Sequence, residues 1–449
     1  MNKLDTALVT SALKKNGFII TDNTRDSDVV LINTCSVREH AEEKVFSHLG
    51  NLKHLKKNRP GLVVAVIGCM AQRLGNKLFD HESVDIICGP TQLPQLVRLI
   101  TDAMQKKTRQ IEVQQNIRKK PTAQQNESLQ NFESQYSVTD KPAPAQAFVR
   151  VMRGCNNFCT YCIVPLCRGP EVSRPPQAIK QQITKMAQQG VKQITLLGQT
   201  VNSYEYKNGE KTYCLADILE TANNIGTIER IKFVTSYPGK KYFKQIIQAM
   251  AHLPKVCPCL HMPAQSGSDK ILKAMNRNYT AEDYLNLITQ ARQILPSITI
   301  AGDFIIGFPG ETDQDFRRTM DLLEQVRYRN CFIFRYSPRK GTAAHKNLAD
   351  SVPAEVKKER NSELLDAQKK ISHQLSRTYL DKQVTVLTEG PSKKSHLNDI
   401  DNNDNPQLTG RTAGDYIVVF NGPADLAGQF AKVKITKVSP WTLFGRLIK

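Results

Sequence analysis

Six short apolar runs alternate with amphipathic helical stretches between residues 147 and 337, and this alternation restricts the fold more than any other feature. The runs are AFVRVM (147–152), QITLLG (193–198), RIKFVTS (230–236), PCLHMP (258–263), ITIAGDFIIGF (298–308) and NCFIFRYS (330–337). We find no hairpin signal between them, so the strands are predicted to be parallel. Six such units predict a partial (β/α)6 barrel, in which chemistry takes place at the carboxyl ends of the strands.

The flanking segments predict further domains of an α/β protein. In residues 1–104, two β-branched runs, DVVLINTCSV and LVVAVIGCM, are each followed by helical spacing, which predicts an α/β domain. Residues 105–146 are rich in Gln, Lys and Ser and are interpreted as a linker that holds at most a short strand. A long helix over 353–380 closes the barrel domain, 147–380, and residues 381–449 predict a small, five-stranded all-β barrel.

Composition indicates a reduced, aqueous compartment. The 449 residues are too many for one core, and 40% are hydrophobic and 23% charged, as in soluble proteins. No run reaches the roughly 18 apolar residues of a membrane span, and the first residues show no signal core. We therefore expect a cytoplasmic protein with no membrane partner. In that setting, eleven cysteines indicate metal or redox chemistry more than disulfides.

The formal net charge of +20 favours a polyanionic partner, because basic side chains neutralise phosphates and release counterions. Nucleic acid is the natural candidate. Many basic proteins have no such partner, so charge alone leaves both interpretations open.

Three cysteines, Cys155, Cys159 and Cys162, follow the first barrel run in the spacing CxxxCxxC, with no histidine near them in the sequence. Thiolates bind zinc or iron–sulfur clusters, and three of them fill three corners of a [4Fe–4S] cubane while leaving one iron open to a substrate. The alternative is a closed zinc site completed by a distant cysteine such as Cys167. The position at the predicted barrel mouth favours the open cluster.

Two more cysteines stand just past the apolar runs of the first domain. In a parallel sheet, Cys35 and Cys69 would project from the same edge, where turn amides favour an anionic cluster that the two thiols share. On the residues alone, the preferred interpretation is that each is a small buried apolar side chain.

Polar and small residues also mark the predicted strand ends of the barrel. Gln199, Asn202, His261, Gln265 and Ser266 suit hydrogen bonding to a cofactor or base, although each taken singly is more often structural. The string GDFIIGFPGET places Gly302 and Gly307 where the backbone can approach a cofactor. We interpret the remaining cysteines as non-ligands: Cys88, Cys167, Cys214, Cys257, Cys259 and Cys331.

These motifs together resemble the methylthiotransferase subgroup of radical S-adenosylmethionine enzymes. The likeness rests on CNNFCTYCIVPLCRGPEVSRP, NTCSVREHAEEKVFSHLG, GCMAQR, LLGQTVNSY, HMPAQSGSDKILKAMNRNYT, GDFIIGFPGET and RYSPRKGTAAH, in order along the chain. It implies that Cys155, Cys159 and Cys162 hold a [4Fe–4S] cluster whose open iron binds S-adenosyl-L-methionine, which is then cleaved to a 5′-deoxyadenosyl radical. GRT (410–412) and WTLFG (441–445) similarly resemble a TRAM domain that grips tRNA.

The resemblance also implies a second [4Fe–4S] cluster on three cysteines of the first domain. Cys35 and Cys69 match two of them. The third belongs to a GCQMN-type string, and this chain begins with MN, so that ligand is missing. We expect that Met1 is the internal methionine of this string and that the natural protein starts upstream; the alternative is a real loss that damages the second site.

The activity implied is methylthiolation of C2 of N6-(dimethylallyl)adenosine next to the anticodon of tRNA. Related alternatives act on threonylcarbamoyladenosine in tRNA or on an aspartate of a ribosomal protein, and a non-enzymatic alternative is an RNA-binding protein with structural zinc. The implied partners are a tRNA anticodon stem-loop, whose unpaired base can enter a pocket, and an electron donor such as flavodoxin or ferredoxin. We expect a monomer.

Overall fold

The structure is a computed structural model that describes residues 1–36, 39–136, 145–392 and 405–448. Contacts divide the described chain into two compact units. The first takes in the described parts of Met1–Ser137, Met152–Arg174 and Arg339–Lys346, and the second takes in the rest. Among the described residues, no helix is both long and apolar enough to cross a membrane.

The first unit is built on a parallel sheet of four strands in sequence order. The strands are β1 (Val29–Thr34), β2 (Val63–Gly68), β3 (Ile86–Cys88) and β4 (Gln110–Glu112). The sheet is accompanied by five helices: α1 (Asn2–Lys15), α2 (Glu39–Asn58), α3 (Cys69–Leu74), α4 (Leu96–Lys106) and α5 (Ala123–Ser134). Every residue of β2 is buried, as expected for a continuous apolar run in a parallel sheet with both faces covered.

The segment predicted to be a linker contains two of these elements. β4 pairs with β3 and extends the sheet, and α5 begins at a capping box formed by Thr122 and Gln125. Helix α5 buries only Leu129, Phe132 and Glu133, which explains why a polar composition concealed it. The linker prediction is corrected over these residues; residues 137–144 lie outside those described.

Three further short elements complete the first unit around the cysteine motif. They are β6 (Met152–Arg153), α6 (Val164–Arg168) and β7 (Val172–Ser173), and β6 pairs with β7 antiparallel. A short helix from the third segment, α13 (Ala343–Asn347), donates the backbone N–H of Ala344 to the carbonyl of Thr160 at 2.8 Å. The cysteine loop is therefore held by segments far apart in the sequence.

The second unit contains the six predicted parallel strands. They are β5 (Gln146–Arg150), β8 (Gln193–Leu197), β11 (Arg230–Val234), β12 (Cys259–His261), β13 (Thr299–Ile306) and β14 (Asn330–Arg335). They form two three-stranded sheets, ordered β11-β8-β5 and β12-β13-β14, and an isolated parallel bridge joins Ile231 to Val256 between them. The α/β fold class and the incomplete barrel are confirmed.

Helices connect the strands and close the barrel domain. They are α7 (Pro176–Gln188), α8 (Leu215–Asn223), α9 (Phe243–His252), α10 (Asp269–Ala274), α11 (Ala281–Ile294), α12 (Asp313–Val326) and α14 (Ala354–Arg377). Helix α14 packs on β14 and matches the helix predicted over 353–380.

Two local features differ from the sequence prediction. The run AFVRVM is not one strand, because β5 ends at Arg150 and the chain turns into β6. An antiparallel hairpin, β9 (Glu205–Asn208) and β10 (Lys211–Cys214), also follows β8, although no hairpin signal was found between the barrel runs. A signal was present: Gly209, with φ +59°, is the first residue of the two-residue loop Gly209–Glu210, and a leading glycine favours such tight hairpins.

The C-terminal module is the predicted five-stranded barrel. Its strands are β15 (Gln383–Pro391), β16 (Gln407–Arg411), β17 (Ile417–Asn421), β18 (Phe430–Val438) and β19 (Thr442–Leu447), and they close in the order β15-β16-β17-β19-β18. This module contacts the amino-terminal ends of the parallel strands. Arg230, the first residue of β11, donates to the carbonyls of Thr385 and Arg411, and Thr299, which starts β13, donates to the carbonyl of Gly414.

Asp415 is the charged centre of this contact. Its carboxylate accepts hydrogen bonds from Lys232 at 2.8 Å and from Arg329 at 3.0 Å, and both cationic side chains are largely buried. Burial alone would raise the pKa of Asp415, but Lys232, Arg329 and Arg411 outweigh it and lower the pKa below its ordinary value.

We expect Asp415→Asn to destabilise the second unit by about 2 kcal/mol near neutral pH, because two buried cations lose their counter-charge. A depressed carboxyl pKa stabilises the fold above the ordinary value near 4, and this stabilisation is lost as pH falls through the folded-state pKa. The deficit of the variant should therefore shrink in acid. Thermal unfolding across a pH series measures this, with the exposed Asp425→Asn as control. Equal deficits at neutral and acid pH would contradict it.

Candidate active site

The first unit brings Cys35 and Cys69 to one edge of its sheet. In the parallel pairing of β1 with β2, Thr34 lies opposite Gly68, so the next residue of each strand is a cysteine. Gly68 has φ +96°, and a Cβ there would lie 2.7 Å from the carbonyl oxygen of Thr34. Only glycine allows the two chains to approach this closely. The predicted placement of both thiols at one edge is confirmed; their role as cluster ligands stays a prediction.

Cys69 lies in a strongly polar environment for a buried thiol. Arg168 donates from Nε to the Cys69 sulfur at 3.3 Å and from Nη2 to the Asp5 carboxylate at 2.7 Å. A hydrogen bond from Cys167 lowers the pKa of Cys69 most; burial opposes it, and the charge of Arg168 adds to it, giving a pKa of about 6. These contacts favour the thiolate of Cys69, which is the form that binds metals.

Cys167 lies against Cys69, a contact that its position in the sequence did not indicate. It is almost fully buried against Cys69 and Ile163, and donating its proton to Cys69 raises its own pKa. By contrast, burial is the main cause that raises the pKa of the other predicted non-ligands, which keeps them protonated: Cys88, Cys214, Cys257, Cys259 and Cys331. Cys69 thus differs electrostatically from all of these thiols.

The CxxxCxxC motif forms a tight loop between β6 and α6. Gly154 has φ +70°, and a Cβ there would lie 1.9 Å from the carbonyl oxygen of Pro170, so the two ends of the loop touch. The Cys155 amide donates to the Gly169 carbonyl at 3.1 Å, and the Cys162 amide donates to the Cys159 carbonyl at 2.9 Å. Cys155 and Cys159 are buried and Cys162 is partly exposed.

A buried carboxylate fixes both flanks of this loop. Glu133 of α5 is 2.8 Å from Arg153 on one flank and 2.8 Å from Arg174 on the other, and its side chain is 1% exposed. Asn156 and Glu171 add a second pair of hydrogen bonds across the loop. The loop base is therefore rigid, while Phe158 at its tip has φ +48° and is half exposed.

The donor set of this loop fits a three-thiol iron–sulfur site by its chemistry. Within the described residues, no group of three or more His, Cys, Asp or Glu side chains is arranged to hold a metal ion.

The second unit places the predicted polar residues at the strand ends, but most have structural partners. Asn202 exchanges two hydrogen bonds with the backbone of Tyr237, at 2.8 and 2.7 Å. Gln265 has φ +71° and its backbone bridges the chain at Phe304. Gln199 is partly exposed two residues past β8. Its role at a cofactor stays a prediction.

His261 and Asp303 lie on neighbouring strands with Nε2 and Oδ1 3.2 Å apart, and both are about one-fifth exposed. Ser266 is buried beside Thr319 with their hydroxyl oxygens 3.3 Å apart, so it acts inside the fold. Of these residues, the histidine–aspartate pair presents polar atoms to solvent.

The two predicted cofactor glycines each have a packing reason. A Cβ at Gly302 would lie 2.7 Å from the ring of Tyr328, and one at Gly307 would lie 2.3 Å from Cγ of Lys357. The Gly307 amide donates to Glu311, a carboxylate held by Arg360 at 2.8 Å. These contacts explain the glycines without a cofactor, and they keep the end of β13 narrow.

Sequence reasoning missed Asp5, Glu133 and Arg168, three of the charged residues that organise the first unit. Asp5 and Glu133 lie in helices whose patterns look ordinary, and Arg168 lies six residues past Cys162. No spacing rule links them, because their contacts join residues that are distant in the sequence.

Comparisons with known families agree with this arrangement. The radical SAM superfamily matches residues 149–323, the uncharacterized protein family UPF0004 matches residues 1–89, and the TRAM domain matches residues 379–448. The radical S-adenosylmethionine methyltransferase TsrM from Kitasatospora setae, solved with cobalamin and a [4Fe-4S] cluster bound, shares the fold at a TM-score of 0.53 and 13% identity, over 76% of this chain and 73% of that one. Fold and cysteine loop define a radical SAM protein.

Full-length relatives identify the family. The chain is 43% identical to the tRNA-2-methylthio-N(6)-dimethylallyladenosine synthase of Rhodopirellula baltica, covering 100% of this chain and 93% of that protein. It is 42% identical to the synthase of the same name from Acetivibrio thermocellus, covering 100% and 89%. The chain belongs to the tRNA-2-methylthio-N(6)-dimethylallyladenosine synthase family.

We expect the thiol of Cys69 to titrate near pH 6 in protein prepared without iron, because Cys167 and Arg168 stabilise its thiolate. The difference in ultraviolet thiolate absorbance between the wild type and Cys69→Ala, followed against pH, isolates this group. Arg168→Met should move the midpoint upward, toward the ordinary value near 8.5. The exposed Arg98→Met is the control. A wild-type midpoint at the ordinary value, or one indifferent to Arg168, would contradict the assignment.

Proposed function

We propose that this protein replaces the C2 hydrogen of N6-(dimethylallyl)adenosine, next to the anticodon of tRNA, by a methylthio group. Identity of 43% over the whole chain to a synthase named for this product carries the proposal. The CxxxCxxC loop and the parallel strands supply the two parts that such chemistry needs. Neither threonylcarbamoyladenosine nor the ribosomal aspartate has comparable support.

Cys155, Cys159 and Cys162 are the ligands of a [4Fe–4S] cluster. When bound with S-adenosyl-L-methionine, this cluster supplies a one-electron reductant and a hydrogen-abstracting radical that no side chain provides. The protein's own contribution is positional: the Gly154–Pro170 contact and the Glu133 ion pairs fix the base of the loop. Rigid support of this kind keeps ligands in place through the reaction.

Cys35 and Cys69 would hold the second cluster, which would carry the sulfur to be transferred. Their support is the shared sheet edge and the depressed pKa of Cys69, because thiolates bind iron without first losing a proton.

Gln199, Gln265 and Gly307 approach the cofactor just past the strand ends, Gln199 through its amide. The sequence motif also predicts Gly302, but a side chain there would point at Tyr328 on the packed face, so this glycine supports β13 and does not face the cofactor. The C-terminal barrel binds the tRNA anticodon stem-loop. Basic side chains, which give the chain its net charge of +20, contact the RNA phosphates. The modified adenosine is unpaired in the anticodon loop, so it can turn out of the RNA and enter the active site. An electron donor such as flavodoxin or ferredoxin serves a monomeric, cytoplasmic enzyme.

Nucleoside mass spectrometry of tRNA from a deletion strain tests the function. We expect the strain to accumulate N6-(dimethylallyl)adenosine and to regain the methylthio form with the wild-type gene. Cys159→Ala should restore none, because the cluster loses one of three ligands.

The matched control is Cys259→Ala, which removes a thiol from the second unit outside the proposed ligand set and should restore the product. Iron analysis of both purified variants shows whether Cys159→Ala lost metal and not folding. Methylthiolated adenosine persisting in the deletion strain, or restored by Cys159→Ala, would refute the proposal. Bound zinc in place of iron in protein purified without air would favour a structural-zinc RNA-binding protein.

A further inference from the structure

One face of the β12-β13-β14 sheet carries several side chains that are partly exposed. We call five of the side chains on this face the inner face: His261, Asp303, Ile305, Phe332 and Phe334. The register shows that they share one side, because Asp303 pairs with Phe332 and Ile305 with Phe334, while His261 pairs with Ala301. In a parallel sheet, paired residues and those two apart along a strand point the same way.

The opposite face of the same strands is fully packed. Phe304 and Tyr328 are completely buried with their rings in edge contact, and Gln368 of α14 donates to the carbonyl of Tyr328 at 2.8 Å. The sheet therefore has one core face and one open face. Helix packing accounts for the core face only.

Two phenylalanines stand exposed on the inner face. Phe332 is 49% exposed and Phe334 36%. Their rings are nearly parallel, 13° apart, with centroids separated by 6.5 Å. The two adjacent rings form an exposed apolar patch, and patches of this kind mark ligand or interaction sites.

Polar groups flank this aromatic pair. Asp303 lies directly beside Phe332 in the register. The Nε2 atom of His261 is 3.2 Å from Oδ1 of Asp303. The inner face thus offers apolar ring surface next to hydrogen-bonding atoms. A ligand that fits it has a polar planar edge and an apolar extension.

The proposed substrate has this form, because the dimethylallyl group on N6 contains only carbon and hydrogen and sits beside the hydrogen-bonding edge of adenine. We propose that Phe332 and Phe334 contact the dimethylallyl group and so determine the preference for prenylated over unmodified adenosine. This inference rests on the proposed function. It assigns the two phenylalanines as specificity residues that touch the substrate.

Binding measurements with two RNAs test the assignment. The iron-loaded protein, prepared without air, is titrated into a fluorescent anticodon stem-loop that carries either N6-(dimethylallyl)adenosine or adenosine at the modified position. We expect the wild type to prefer the prenylated RNA by about ten-fold or more, because burying several apolar carbons in a pocket gives discrimination of this order.

The double variant Phe332→Ala/Phe334→Ala should bind unmodified RNA as the wild type does and lose most of the preference, to within about two-fold. Phe332→Leu, which keeps apolar bulk, should retain a part of it. Phe46→Ala is the matched control, since Phe46 is also a 36% exposed phenylalanine, but on α2 of the first unit. Circular dichroism confirms that each variant is folded.

The outcomes separate this inference from the proposed function. A wild-type preference that survives in the double variant overturns the inference and leaves the function intact. Equal weakening toward both RNAs also overturns it, because the rings would then stack on the base and not on its substituent. A wild type that shows no preference overturns both, since the enzyme would not recognise a prenylated base.

Discussion

The buried carboxylate of Glu133 is the contact on which the cysteine loop depends. Its two oxygens face Arg153 and Arg174, which stand at the two ends of the segment that contains Cys155, Cys159 and Cys162. A buried charge of this kind is tolerated only when an opposite charge compensates it. Removing any one of the three side chains would therefore leave an uncompensated buried charge. Helix α5 thereby clamps the loop from outside, and the close approach of Gly154 to Pro170 leaves its base no freedom.

The same unit links that loop to the sheet edge where the other cysteines lie. Arg168, at the end of α6, connects Asp5 of α1 with the sulfur of Cys69. Because the arginine is fully buried, its charge acts on the thiol at short range with little screening. The two groups of cysteines, separated by more than eighty residues in the sequence, are thus parts of one packed body.

Strong periodic patterns made much of this fold predictable. The six barrel strands, the closing helix and the five-stranded barrel follow from apolar runs, and the shared edge of Cys35 and Cys69 follows from parallel pairing. The predictions failed at weak or local signals. Helix α5 has a polar composition and only three buried residues, and the Gly209–Glu210 turn was overlooked. The charge contacts of Glu133 and Arg168 could not be predicted, because they join residues that only the tertiary fold brings together.

The contact between the C-terminal barrel and the parallel strands limits how freely such modules can be exchanged. Lys232 and Arg329 belong to the strand domain, whereas the carboxylate that neutralises them comes from Asp415 of the appended module. A foreign RNA-binding barrel grafted in its place would need an acidic side chain at the same point of its β16–β17 turn. Exchange of this module is therefore constrained by the need for one acidic residue at this turn.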